Sequence, residues 1–276
     1  MRVIVTRPQR EAQRWVAGLA AAGHEALALP LIEVAPPADP APVRQAWAKL
    51  GDYAAVMFVS ANAADYFFAS KPPLSPVNID VFATTTRAWA TGPGTVAALR
   101  RAGLAAARID APPNDSGQFD SEALWQVVAT QLQLGQRALI VRGDDEGAGH
   151  GAANGDSGNA GSAGAGRGRD WLATTLMTAG IRVEFVVAYQ RQAPDWLAPQ
   201  QALGAAAAQD GAVWLFSSSQ AVANLRQLLP AQRWQQARAV ATHPRIAEAL
   251  RQVGFGQIQV ARPALADLLA SIESLA

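Results

Sequence analysis

Two pairs of short segments carry residue types suited to gripping anions. Ser60-Ala61-Asn62-Ala63-Ala64 follows the apolar run Val56-Met57-Phe58-Val59, and Ser217-Ser218-Ser219-Gln220-Ala221 follows Val213-Trp214-Leu215-Phe216. Further along, Thr91–Leu104 resembles Thr242–Phe255, with Thr91, Pro93, Ala98, Leu99, Arg100 and Gly103 identical between them. Each segment reads as a strand, a turn bearing hydroxyl, amide or glycine residues, and a helix. A helix start exposes unpaired backbone N–H groups and a partial positive charge. A lone Ser at such a turn reads as an N-cap. Four such turns, two in each of two copies, would supply four anion-friendly positions around one cleft. Carboxylates and phosphates fit these residues equally well.

Other chemistries are excluded. The chain has no Cys, which removes disulfides, thiolate zinc sites and a Cys nucleophile. His24, His150 and His243 are scattered with no metal-ligand spacing, so no metal is expected. Neither a GxxxxGK[ST] nor a GxGxxG pattern occurs. A net charge of +1 over 276 residues gives no reason to expect nucleic acid or an anionic membrane as partner. No run approaches the ~20 apolar residues that span a bilayer. The opening apolar run Val3-Ile4-Val5 is too short for a signal peptide, so a cytoplasmic protein is expected. Lys occurs only at Lys49 and Lys71, the other basic residues being Arg. Guanidinium forks suit a polycarboxylate, but a compositional bias in an Ala- and Gly-rich chain is the weightier explanation of the preference.

Positioning these turns requires alternating strands and helices, and the sequence supplies them. Strands are expected at Val3–Thr6, Glu25–Leu29, Ala54–Val59, Arg87–Thr91, Ala138–Val141, Val183–Tyr189, Ala212–Phe216, Arg238–Thr242 and Gln257–Ala261. Between them, helices are expected at Arg10–Ala22, Pro42–Leu50, Ala63–Ala69, Thr95–Ala102, from Asp120 and Ser121 to about Leu132, Arg169–Ala179, Gln220–Leu228, Pro244–Val253 and Leu265–Ser274. Alternation throughout predicts an α/β protein with parallel sheets flanked by helices, ligands binding at one strand edge. Ala35-Pro36-Pro37 and Gln192-Ala193-Pro194 mark boundaries. They divide the chain into residues 1–35 with 192–276, a discontinuous first domain, and residues 36–191, a second. Residues 147–168, built of Gly, Ala, Ser, Asn and Asp, lack periodic apolar positions and read as a flexible insertion.

Nine short pieces, in order, resemble the uroporphyrinogen-III synthase family along nearly the whole chain. They are Val5-Thr6-Arg7-Pro8, Gly23-His24-Glu25, Leu29-Pro30-Leu31-Ile32-Glu33, Phe58-Val59-Ser60-Ala61-Asn62-Ala63 and Gly92-Pro93-Gly94-Thr95. The series continues with Phe119-Asp120-Ser121-Glu122-Ala123-Leu124, Leu139-Ile140-Val141-Arg142-Gly143, Ala188-Tyr189-Gln190-Arg191 and Thr242-His243-Pro244-Arg245-Ile246-Ala247. The resemblance implies two similar domains joined by a two-segment linker, with the ligand cleft between them. It implies an enzyme that closes hydroxymethylbilane into uroporphyrinogen III, losing the ring-A hydroxyl as water and inverting ring D through an azafulvene cation and a spiro intermediate. No cofactor is implied. The partners would be the linear tetrapyrrole and, transiently, hydroxymethylbilane synthase, and the enzyme would be a monomer.

Because the substrate cyclises unaided to the uninverted isomer, the enzyme's main task would be orientation. Tyr189 matches the tyrosine held to assist departure of the hydroxyl. Ser60, Asn62 and Thr95 match positions lining the cleft from the second domain, and Ser217, Ser218 and Ser219 the corresponding turn of the first. Arg245 and Ile246 replace a Thr pair found in relatives, which leaves the role of Thr242 open. Arg7 and Arg142 suit either carboxylate binding or tying down strand ends. His243 lies in a candidate turn, His24 reads as a surface turn residue, and His150 lies in the insertion. A non-catalytic tetrapyrrole- or polyanion-binding relative is the alternative, and Tyr189 weighs against it. An unrelated two-domain α/β enzyme, such as a nucleotide-sugar transferase, fits less well for want of a dinucleotide fingerprint or an acidic metal pair.

Overall fold

Val213–Phe216 and Ala55–Phe58 are short strands apolar at every position, each entirely buried. Such runs belong to parallel sheets covered on both faces, and a computed structural model shows that arrangement. It describes residues 1–72, 82, 85–113, 119–144 and 165–275. These fall into two compact units, Met1–Val34 with Gln192–Ala276, and Ala35–Arg191.

The first unit contains β1 (Arg2–Val5), α1 (Gln9–Ala21) and β2 (Glu25–Ala28), then, after the second unit, α7 (Ala198–Ala207), β9 (Val213–Phe216), α8 (Ser219–Leu228), β10 (Arg238–Ala241), α9 (Pro244–Val253), β11 (Gln257–Val260) and α10 (Leu265–Glu273). Its sheet runs β11-β10-β9-β1-β2, every pair parallel. Period-two alternation sends Ile4, Trp214, Phe216, Ala239 and Ala241 to one core. There they meet Val222 and Leu225 of α8 and Ile246 and Leu250 of α9. Val3, Val5, Val213, Leu215 and Val240 go to the other face, under Leu19 of α1 and Leu268 and Ile272 of α10.

The second unit contains α2 (Ala41–Ala48), β4 (Ala55–Phe58), α3 (Ala61–Ala69), β5 (Arg87–Ala90), α4 (Pro93–Arg101), β6 (Ile109–Asp110), α5 (Ser121–Val128), β7 (Arg137–Asp144), α6 (Ala165–Thr178) and β8 (Arg182–Gln192). With β3 (Glu33–Ala35) at one edge, its sheet runs β3-β8-β7-β4-β5-β6. One face packs Met57, Trp89 and Ile140 against Leu124 and Val128 of α5 and Leu172 and Leu176 of α6. Elsewhere in the unit an aromatic cluster forms, Trp47 stacking on Phe67 at 4.6 Å and Phe58 meeting Phe67 edge-on at 5.5 Å. The chain crosses between the units at residues 34–35 and 191–192, and the crossing strands β3 and β8 are neighbours in this sheet.

The two sheets share one pattern with a permuted chain order. Laying β9 on β4, residue 213 on 55, puts β10 on β5, β11 on β6, β1 on β7 and β2 on β8. Arg2 then coincides with Arg137, Asp210 with Asp52, Arg7 with Arg142 and Ser218 with Ser60. The paired roles agree. Arg2 binds Asp210 at 2.6 Å and Glu25 at 3.2 Å, while Arg137 binds Asp52 at 3.4 Å and Glu184.

Several elements differ from the sequence expectation. Two short strands, β3 and β6, were not expected, and neither was the helix α7. Helix α5 stops at Val128 rather than near Leu132, and α3 and α4 each begin two residues early, at Ala61 and Pro93. The expected insertion 147–168 is corrected at its end, because α6 begins at Ala165. Residues 147–164 lie outside the described residues. Ala165, Arg167 and the absence of proline let the helix extend backwards despite its glycines.

Candidate active site

In the second unit lie five of the ten expected residues, Ser60, Asn62, Thr95, Arg142 and Tyr189. Ser60 is the N-cap of α3, its extended backbone leaving Oγ free to accept from the Ala63 N–H at 3.1 Å. The same Oγ lies 3.3 Å from the Tyr189 hydroxyl. Tyr189 is 4% exposed and comes from the far end of β8. It reaches Ser60 through a β-bulge. Arg142 pairs with Val187 and Gly143 with Tyr189, so Ala188 is the extra residue. The ring crosses Gly143 and lies 6.0 Å from the ring of Tyr66 on α3, tilted by 31°.

Arg142 is half-buried beside the bulge, its guanidinium 5.1 Å over the exposed ring of Phe185. Its Nε is buried and has no hydrogen-bond partner. A buried charged donor without a partner is costly, and an incoming carboxylate would remove that cost. Asn62 is half-buried in the first turn of α3. Thr95, in the first turn of α4, is 4% exposed, so its hydroxyl offers little surface to a ligand. Gly92 caps that helix.

The first unit repeats the arrangement without a tyrosine. Ser218 is the N-cap of α8, its Oγ accepting from the Gln220 N–H at 3.2 Å. The cap roles align Ser60 with Ser218, one residue on from the Ser217 match suggested by sequence. Ser217 lies in the half-buried loop before the cap, and Ser219 has a buried Oγ with no partner. Thr242 donates its N–H to the Phe216 carbonyl at 3.0 Å. His243 is the exposed N-cap of α9, its Nδ1 accepting from the Arg245 N–H at 3.1 Å. That gives His243 a structural task. Arg7 sits 4.7 Å over the Trp15 ring and 3.3 Å from Glu11. Burial pulls its pKa down, partly offset by Glu11.

No site role was read from sequence for Gly143, Ala188, Tyr66 or Phe185, although Gly143 and Ala188 lie within the matching pieces. One signal was available for them, since a glycine inside a strand marks a bulge or a close approach. Among the described residues no cluster of three or more His, Asp or Glu residues could hold a metal, and no helix is long and apolar enough to cross a membrane.

Two α/β units with parallel sheets, whose strand-end turns carry hydroxyls and helix starts capped by Ser60 and Ser218, define a two-domain class of α/β protein. The family model described as Uroporphyrinogen-III synthase HemD matches residues 13–148 and 154–270. The structure of uroporphyrinogen-III synthetase from Helicobacter pylori 26695 is similar at 16% identity and a TM-score of 0.53, covering 100% of both chains. A Thermus thermophilus uroporphyrinogen III synthase structure matches at 18% identity and a TM-score of 0.40, covering 100% of this chain and 99% of the other. The chain belongs to the uroporphyrinogen-III synthase family. It is an enzyme of porphyrin biosynthesis that cyclises hydroxymethylbilane to uroporphyrinogen III.

Proposed function

We propose that Tyr189 assists departure of the ring-A hydroxyl and that the strand-end turns of both units hold the substrate's acetate and propionate groups. The contact chain from the Ala63 N–H through Ser60 Oγ to the buried Tyr189 hydroxyl carries this reading. With the Ser60 O–H donated to the phenol oxygen, the phenol proton is free for the substrate. As the C–O bond breaks, its electron pair leaves with the oxygen, which takes up the proton and departs as water. The substituted carbon of ring D attacks the resulting cation. Ring closure releases one proton, which balances the one donated. Arg142 and Arg7 supply guanidinium groups to carboxylates. Asn62, Ser217, Ser218, Ser219 and Thr242 contribute hydroxyl, amide and backbone donors, with Thr95 supporting its turn.

The enzyme acts in the cytoplasm as a monomer that takes its substrate from hydroxymethylbilane synthase by transient contact. Support for that hand-over is chemical, since the free substrate closes spontaneously to the unwanted isomer. Supplying hydroxymethylbilane and separating isomers I and III tests the assignment. General acid assistance is worth about 10²–10⁴ in rate, and a substrate that ionises readily puts the effect near the lower limit. Tyr189→Phe is expected to lower kcat roughly 10- to 100-fold with KM unchanged, while isomer I rises. Full rate in that variant would remove Tyr189 from the chemistry.

A further inference from the structure

We propose that Gly143 is a positioning residue for Tyr189, the missing side chain at 143 letting the phenol lie across β7 and reach Ser60. The inference rests on the reading of Tyr189 as the hydroxyl-side donor. A Cβ at position 143 would lie 2.6 Å from Cε2 and 2.9 Å from the hydroxyl oxygen of Tyr189, and nearer still to Cζ. Real Cβ atoms do not approach so closely. The backbone itself makes no demand for glycine. The described glycines in the left-handed region are Gly23, Gly103, Gly135, Gly180, Gly211 and Gly254, and Gly143 is not among them. The three atoms nearest to such a Cβ all belong to Tyr189.

The rest of the ring's surroundings point the same way. The register shift that makes Ala188 the extra residue sets Tyr189 opposite Gly143. Tyr66 lies alongside the ring and Ser60 meets its tip. A methyl group at 143 therefore pushes the tip, the far end of a side chain with two torsions, off Ser60. The fold can absorb that movement, but the hydroxyl cannot keep its place. A bulge, a glycine and a capping serine together fix one phenol oxygen, and the described first unit has no tyrosine in an equivalent place.

The test is a cycle in the full-length enzyme, reading kcat, KM, the isomer I to III ratio and thermal unfolding. Gly143→Ala is expected to lower kcat by the same factor as Tyr189→Phe, with KM within about twofold, and to raise isomer I equally. In a Tyr189→Phe background there is no hydroxyl to displace, so adding Gly143→Ala should change kcat less than about twofold. Wild-type kcat in Gly143→Ala, or a loss of full size in the Tyr189→Phe background, overturns the inference while leaving the reading of Tyr189 intact. Wild-type activity in Tyr189→Phe overturns both. If Gly143→Ala fails to fold, Gly143→Ala with Tyr189→Ala should recover the stability of Tyr189→Ala alone, because only the ring occupies the space. A pair that stays unfolded refutes the proposal.

Discussion

Ser60 and Ser218 occupy equivalent caps, but only Ser60 also touches a phenol, which makes the pair an internal control. Replacing either with Ala removes a cap bond, from Ala63 at 3.1 Å or from Gln220 at 3.2 Å. Each loss costs about 1 kcal/mol, or roughly 2–4 °C in Tm for a chain of this size. Ser60→Ala also breaks the 3.3 Å contact with Tyr189. A neutral hydrogen bond contributes about 0.5–1.5 kcal/mol, and this length puts it at the weak end. That corresponds to roughly a two- to fivefold fall in kcat, with Ser218→Ala within about twofold of wild type. Glycine separates the two effects, because a glycine cap costs only about a few tenths of a kcal/mol. Ser60→Gly should keep its Tm and still show the kcat loss of Ser60→Ala. The assay is isomer-resolved turnover of hydroxymethylbilane beside a thermal melt. If Ser60→Gly recovers rate together with stability, or Ser218→Ala loses kcat as deeply, Ser60 is a cap and nothing more.

Two further predictions concern parts of the units remote from this edge. Tyr53 is 3% exposed and donates to Glu184 at 2.8 Å; burial first, then that hydrogen bond, pushes its pKa up to about 12. The fold therefore favours the neutral phenol, and the stability it lends is complete below about pH 10 and is lost as the pH climbs towards 12. Wild type should lose Tm more steeply than Tyr53→Phe across that window, and parallel curves would sink the argument. Gly256→Ala should behave unlike Gly143→Ala, because its Cβ would sit 2.9 Å from the Gln235 carbonyl carbon and closer to its oxygen. Backbone cannot swing aside, so a loss of about 3 kcal/mol or more is expected in denaturant unfolding, and a wild-type midpoint would contradict it.

The two strands Ala55–Phe58 and Val213–Phe216 were legible because burial on both faces makes them continuous apolar runs. The start of α5 was legible because its cap, Asp120, carries an oxygen, whereas α3 starts two residues before its expected place, directly after Ser60. The misses have physical causes too. In α7 only Gly204 and Ala207 are buried, so its Ala- and Gln-rich sequence carries almost no periodic signal. The two-residue β6 has no apolar pattern. Asp110 is there because Arg87 grips it with two bonds, at 2.5 and 2.6 Å. The bulge at Ala188 is a register slip between strands far apart in sequence, and no local propensity encodes it. Pairing Ser60 with Ser217 rather than Ser218 failed for a related reason, since strand register decides which serine becomes the cap.

The permuted match between the sheets explains why the chemistry is lopsided. Position by position, the units share the ion-paired arginines Arg2 and Arg137, the strand-end arginines Arg7 and Arg142, and the caps Ser60 and Ser218. Shared features at matched positions are what one ancestral α/β unit, used twice, would leave behind. The differences lie in β8 and its counterpart β2. β8 runs eleven residues to Gln192 and carries the bulge and Tyr189, while β2 ends after four at Ala28. Arg7 is held by Glu11, whereas the Nε of Arg142 has no partner. A strand-turn scaffold common to both units thus carries a buried phenol and an arginine Nε without a partner in only one of them. In the proposed mechanism binding is duplicated, and proton donation has a single origin at the end of the strand that leads back to the first unit.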